Sequence, residues 1–335
     1  MKTAIPAPDL YYRPLAGRSL REMAARKLHH GKGRFHNPMA VTENNRFQGA
    51  VAWHFHKNEY REALKDQPIS PVLIDWEPVL AHTAVSVTFI RHATLLIRDQ
   101  GHTLLVDPVF GRLMFRWVKD FAPIAFDLST LPVPDQVLIT HGHYDHLDMD
   151  SLRCLNPATP VVTPLGYNRE FKALGMGRRT QLDWYESWTD GKRKITLVPA
   201  NHWTLRNPLI GPNRSLWGGY IIKTAGGPVI YIAGDTAYFD GFEQLAEDFS
   251  IDLAIFNMSA YAPRWFMGPS HMDPVETVRA FTELKATKLM IVHWGTFRLG
   301  DEPVHFPPMD LEKILIAQNL QSRWINLAPG ATACL

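Results

Sequence analysis

From about residue 85 the chain alternates short apolar runs with polar breaks. SVTFI (86–90), TLLIR (94–98) and HTLLVDP (102–108) are rich in Leu and β-branched residues and read as an opening meander. QVLITH (136–141), TPVVTPL (159–165), KITLVPA (194–200), GGYIIKT (218–224), PVIYIAGD (228–235), LAIFNM (253–258) and KLMIVHWG (288–295) read as further strands. Helical patterns lie between them. DMDSLRCL (148–155) opens on an acidic cap, and DPVETVRAFTELKA (273–286) has Pro in its first turn with Val275, Val278 and Phe281 on one face. MDLEKILIAQNL (309–320) is another predicted helix. Strands interleaved with helices predict a layered α/β domain over 85–335. Residues 1–84 differ in texture: basic REMAARKLHHGKGRFHNP, then FQGAVAWHFHKNEYREALKDQP with room for a helix, then Pro-rich QPISPVLIDWEP. They read as an N-terminal extension packed on the main domain.

The polar residues that stop the apolar runs carry the chemistry. VLITH ends at His141, ITLVPANH at His202, VIYIAGD at Asp235 and LMIVH at His293. If these ends converge, four separate segments place imidazole and carboxylate groups around one point, as a metal site on rigid elements requires. The stretch LITHGHYDHLD (138–148) adds His143, Asp145 and His146. On extended backbone His141 and His143 point to the same side. Neutral imidazole and carboxylate suit zinc, iron or manganese, whereas calcium would take mostly oxygen. A carboxylate bridging two ions is the arrangement of two-metal hydrolytic sites.

Composition narrows the classes. A chain of 335 residues, 46% hydrophobic, can bury a substantial core. Thirty-five basic against thirty-three acidic residues give a net charge of +2, which does not suggest nucleic-acid binding. Cys154 and Cys334 are too few for a disulfide framework. The opening MKTAIPAPDLYYRPLAG has no apolar core of a signal peptide, and no apolar run reaches membrane-spanning length. The expectation is a cytoplasmic protein. FGRLMFRWVKDFAP (110–123), where Leu113, Met114, Phe115, Trp117 and Phe121 mix with Arg112, Arg116 and Lys119, reads first as an ordinary packed loop or dimer contact. Peripheral contact at the inner face of the membrane through that stretch is the alternative. Oligomeric state is not legible.

THGHYDHLD resembles the metallo-β-lactamase superfamily motif. FIRHATLLI, LLVDPVF, QLDWYESW, SLWGGYII, YIAGDTAYFDGF, YAPRWFM, HMDPVETV and VHWGTF together resemble the narrower family of N-acyl-phosphatidylethanolamine-hydrolysing phospholipases D, from about residue 35 to about 330. The resemblance implies a four-layer αβ/βα sandwich with a dinuclear site, ordinarily of two zinc ions. His141, His143, His202 and Asp235 would hold the first metal; Asp145, His146 and His293, sharing Asp235, the second. Asp235, Asp145 and His271 would act in catalysis, His271 by holding a phosphate oxygen or assisting the leaving group, if it does not merely cap the following helix. Asp107 would orient one of the histidines, and His92 would support the site from behind without being a ligand. Arg206, Tyr261, Arg264 and Trp265 are candidates to touch substrate. The implied reaction is hydrolysis of a phosphodiester in a phospholipid such as an N-acyl-phosphatidylethanolamine. A same-fold hydrolase of lactones or of small soluble or cyclic phosphodiesters would keep every metal ligand, and a non-catalytic metal-binding protein is a further alternative.

Overall fold

The computed structural model describes residues 11–41, 46–65, 69, 71, 73–111, 113, 118–124 and 126–335, without the side chains of 46–48. In chain order, the N-terminal part carries α1 (Leu20–Ala25), the small hairpin β1 (His30–Gly31) and β2 (Arg34–Phe35), α2 (Arg46–His54) and α3 (Trp76–Ala81). There follow β3 (Ser86–Arg91), β4 (Thr94–Asp99), β5 (His102–Val106), β6 (Gln136–Leu138), α4 (Met149–Arg153), β7 (Val161–Pro164), α5 (Asn168–Ala173), β8 (Arg179–Leu182) and β9 (Ser187–Thr189). The chain continues through β10 (Lys194–Val198), β11 (Gly219–Lys223), β12 (Val229–Ile232), α6 (Phe242–Asp248) and β13 (Leu253–Asn257). It closes with α7 (Arg264–Met267), α8 (Pro274–Glu283), β14 (Lys288–Val292), α9 (Phe306–Gln318) and β15 (Thr332–Cys334).

Among the described residues the strands make two large sheets besides the hairpin. One runs β15-β3-β4-β5-β6-β7-β8, the other β14-β13-β12-β11-β10-β9. The first is antiparallel from β15 to β5 and parallel from β5 to β8; the second is antiparallel from β9 to β12 and parallel from β12 to β14. Period-two alternation sets which side chains meet. On β4, Leu95 and Ile97 join the core shared by the two sheets, while Leu96 turns to the opposite face. There it meets Leu105, Val137 and Val161, covered by Leu152 of α4 and Phe171 of α5. Leu245 of α6, Phe281 of α8 and Leu311 of α9 complete the large core from the other side. Two mixed sheets flanked by helices make the αβ/βα sandwich of the metallo-β-lactamase fold. The N-terminal part does not stand apart, because Tyr12, Leu15, Leu20, Met23 and Met39 lie in the same core.

Local chemistry explains the ends of the helices. Asp273 caps α8, and Glu276 closes a reciprocal capping box with it, so Asp273 rather than His271 is the cap. α9 begins at Phe306, earlier than its apolar pattern suggests, with Pro307 and Pro308 in its first turn, where a missing N–H costs nothing. It stops where Asn319 turns left-handed. Of the stretch 110–123, residues Arg112, Met114, Phe115, Arg116 and Trp117 lie outside the described residues. Phe110 and Leu113 are buried, Leu113 against Val109 and Phe297. No helix among the described residues is long and apolar enough to cross a membrane.

Candidate metal centre

The direction of the strands gathers the site. β3, β5 and β6 point the same way in one sheet, and β10, β12, β13 and β14 do so in the other. Just past the ends of these strands stand His92, Asp107 and His141 from the first sheet, and His202, Asp235 and His293 from the second. His92, Asp107 and His293 adopt φ values of 46°, 41° and 75°. That left-handed region is unusual for residues with a side chain and concentrates at functional sites. Gly142, between two of the histidines, has to be glycine: a Cβ there would lie 2.8 Å from Thr204 Oγ1 and from the Tyr167 ring.

Two groups form. His141, His143, His202 and Asp235 make one; His92, Asp145, His146 and His293 make the other. Asp235 lies between them. Its Oδ2 is 3.7 Å from Nε2 of both His141 and His202 and 3.3 Å from His146 Nε2, while its Oδ1 is 3.4 Å from His293 Nε2. Asp145 Oδ2 is 3.6 Å from His146 Nε2 and 3.3 Å from His293 Nε2.

Outer hydrogen bonds decide where the ring protons sit. His146 Nδ1 lies 2.8 Å from Asp107 Oδ2, and His202 Nδ1 lies 3.0 Å from the Ser270 carbonyl; both acceptors require an N–H. Ser259 gives its proton to the His293 carbonyl at 2.7 Å, so its oxygen accepts from His293 Nδ1, also at 2.7 Å. Thr140 gives its proton to Asp107 at 2.6 Å and can accept from His141 Nδ1 at 3.1 Å. Four imidazoles therefore carry Nδ1–H and turn bare Nε2 lone pairs inward. Lone pairs then face lone pairs: His146 and His293 meet Nε2 to Nε2 at 3.2 Å, with two carboxylates beside them. Buried acceptors opposed in this way need cations between them, and this donor set fits divalent transition metals.

The electrostatics agree. Burial would raise the Asp235 carboxyl, but the His146 and His293 rings hold it well below the usual carboxylate range. Asp145 is likewise low, as His146, His293 and His92 outweigh its burial. Burial, then the neighbouring rings, keep His141 well below the usual histidine range. Burial would lower His146 too, yet Asp235 and Asp145 hold it well above that range.

His92 comes closer than a purely supporting residue would, with Nε2 3.0 Å from Asp145 Oδ2 and its ring 3.9 Å from that of His293. Its Nδ1 is buried with no hydrogen-bond partner among the described residues. The proton therefore belongs on Nε2, donated to Asp145; ligation through Nε2 would strand an N–H at Nδ1. Burial, then His293, lowers its pKa to about 3, so the ring is neutral. His271 stands at the edge, half-buried, its ring 5.4 Å from that of His202 and stacked at 6.1 Å on that of His293.

Each of the four residues expected to touch substrate has a protein contact of its own. Tyr261 donates its hydroxyl to Asp310 at 2.7 Å, and Trp265 is 47% exposed, edge-on to His56. Arg264 grips Glu276 at 2.6 Å and the carbonyls of Tyr261 and His271, bracing the loop that carries His271. Arg206 donates to the Leu147 carbonyl at 2.5 Å and lies over the Tyr144 ring. Nearness in sequence to a motif did not reveal where these side chains point. Conversely, Asn257, which donates to Asp235 Oδ1 at 2.8 Å, and Ser259 went unread. The signal was present, since they stand where the apolar run LAIF ends. A third grouping, His29, His30 and Asp183, is closed by Lys27, whose ammonium sits 2.5 Å from Asp183 Oδ2.

Residues 102–294 match the Beta-lactamase superfamily domain. The chain is 32% identical over 254 residues to N-acyl-phosphatidylethanolamine-hydrolyzing phospholipase D 1 of Caenorhabditis elegans, covering 70% of this chain and 71% of that protein. It is 30% identical over 246 residues to the mitochondrial N-acyl-phosphatidylethanolamine-hydrolyzing phospholipase D of Saccharomyces cerevisiae, covering 70% of this chain but only 52%, about half, of that relative. A possible metal-dependent hydrolase from Veillonella parvula superposes with a TM-score of 0.62 over 75% of this chain and 100% of its own, at 20% identity, which is a likeness of fold. With the domain match, the relatives and the His/Asp clusters in agreement, the chain belongs to the beta-lactamase superfamily as a metal-dependent hydrolase resembling N-acyl-phosphatidylethanolamine-hydrolysing phospholipase D.

Proposed function

We propose that the protein is a dinuclear phosphodiesterase of phospholipase D type, using two zinc ions to hydrolyse N-acyl-phosphatidylethanolamine-like lipids. The observation that carries this reading is the pair of facing lone-pair clusters joined by Asp235. His141, His143, His202 and Asp235 would hold one ion; Asp145, His146 and His293, with Asp235 again, the other. Bound there, the ions would supply Lewis acidity toward a phosphoryl oxygen and activate water at neutral pH.

The chain's own residues do the rest. Asp107, Ser259 and the Ser270 carbonyl fix ring tautomers, so the ligating nitrogens are presented without rearrangement. His92 holds Asp145 in place through its Nε2–H. His271, whose ring lies 5.4 Å from that of His202 and whose backbone Arg264 anchors, would hold a phosphoryl oxygen or assist the departing group. The products would be an N-acylethanolamine and phosphatidic acid.

Purified protein presented with N-acyl-phosphatidylethanolamine in mixed micelles tests the reading. Release of both products, followed by mass spectrometry and abolished by chelator, is expected. Turnover of bis-p-nitrophenyl phosphate or of a lactone, with the lipid untouched, would replace the lipid substrate with a soluble one.

A further inference from the structure

We propose that Asn37 is a positioning residue for the first metal position, acting through His202 and the loop of Asp235. The inference rests on the metal-centre reading above. Asn37 precedes His202 by 165 residues, yet it is only 8% exposed and its amide is fully used. Nδ2 donates to Asn201 Oδ1 and to the His202 carbonyl, both at 2.8 Å, while Oδ1 accepts from Met39 N at 3.0 Å. His202 is thus held at two points, by its carbonyl and by its Nδ1 on Ser270.

Asn201 extends the connection. Its backbone N–H donates to Thr236 Oγ1 at 2.9 Å, its carbonyl accepts from Ala237 N at 2.9 Å, and its Nδ2 donates to the Tyr238 carbonyl at 3.2 Å. One hydrogen-bonded unit therefore runs from Asn37 to both His202 and the segment just after Asp235. These are the two first-position ligands that the His141–His146 turn does not supply. The same stretch of extension adds a backbone N–H from Leu15 to Asp240 at 3.0 Å and Tyr12 edge-on to Tyr238 at 5.3 Å. Among the described residues the side-chain hydrogen bonds of Asn37 go to Met39, Asn201 and His202, and not to the segments of Asp145, His146 and His293. Its loss should loosen the first ion more than the second, which shares only Asp235 with it. Without its donors, the His202 carbonyl and Asn201 Oδ1 become buried acceptors that must move to find partners.

The test uses the full chain loaded with zinc, and separately with cobalt(II), in Asn37→Asp and Asn37→Ala. Asp is nearly isosteric but turns a carboxylate oxygen on two acceptors. Ser19→Ala is the control; it removes the cap of α1 in the same extension, where Ser19 Oγ accepts from Glu22 N at 3.0 Å. Metal retained against graded chelator is read by mass spectrometry, the cobalt absorption spectrum reports each site, and circular dichroism reports folding. Wild type and Ser19→Ala should release their ions at the same chelator levels. The Asn37 variants should release the first ion at about 10–100-fold lower chelator and the second with a clearly smaller shift. Wild-type release of both ions with an unaltered cobalt spectrum would overturn the inference, as would equal weakening of both. Failure of both variants to fold would make Asn37 a determinant of the fold and overturn it equally. A wild-type chain that takes up no metal would instead remove the metal-centre reading itself.

Discussion

Replacing Asp107 with asparagine changes a single buried atom and should cost the site one ligand. The Asp107 carboxylate is 1% exposed and accepts three hydrogen bonds: Thr140 N at 2.8 Å, Thr140 Oγ1 at 2.6 Å and His146 Nδ1 at 2.8 Å. An asparagine has one acceptor oxygen. If that oxygen keeps Thr140 N, its NH2 faces His146 Nδ1, which must then be the acceptor. The ring proton moves to Nε2 and occupies the lone pair aimed at Asp235 and Asp145. If the amide flips instead, its NH2 opposes the Thr140 N–H, and a buried donor without a partner costs about 1–3 kcal/mol. The first arrangement weakens the second metal position by about 10–100-fold in affinity, or about 1.4–2.8 kcal/mol; the flipped arrangement leaves His146 its acceptor and lowers the stability of the fold instead. Chelator competition followed by mass spectrometry of retained metal measures this directly. Wild-type affinity for both ions together with wild-type thermal stability in folded Asp107→Asn would refute the tautomer reasoning.

Other outcomes follow from the same geometry. Asp235→Asn removes the carboxylate charge between the two groups and should lower turnover by orders of magnitude while loosening both ions, measured as kcat and bound metal; full activity would contradict the shared role. Burial raises the Glu302 carboxyl to about 7 from an ordinary 4.5, with the N–H groups of Glu302, Ala262 and Tyr261 offsetting only part of it. A carboxyl raised in the folded state gives stability that is present below about pH 4.5 and lost as pH rises through about 7, a difference of about 3 kcal/mol. Glu302→Gln should therefore flatten the fall in thermal stability between pH 5 and 8; parallel melting curves for mutant and wild type would refute it. Tyr261→Phe should lower stability by about 1–2 kcal/mol through the lost bond to Asp310 and leave KM unchanged, whereas a raised KM would return Tyr261 to the substrate.

The sequence was most readable where one periodicity dominates. Apolar runs such as TLLIR and VIYIA announced strands, and the polar residues that stop them announced the clusters. β8, β9 and β15 carry no strand signal because RTQL, SWT and TAC are short and contain no apolar run, held in place by neighbouring strands rather than by their own pattern. Strand ends locate a residue along the chain but give no side-chain direction. For that reason the sequence offers Tyr261 and Trp265 beside His271 as site residues, whereas in the fold the His271 ring lies by those of His202 and His293, Tyr261 bonds Asp310 and Trp265 meets His56. Asn37 shows the opposite limit. Nothing in GRFHNP marks that asparagine, and only the folded chain carries it to His202.

Anomalous diffraction from crystals of protein purified without chelator, collected above the absorption edge of the metal identified by X-ray fluorescence, addresses the metal centre directly. Two peaks are expected, one among His141, His143 and His202, the other among Asp145, His146 and His293, with Asp235 between them. A single peak, or none within these clusters, would contradict the dinuclear centre.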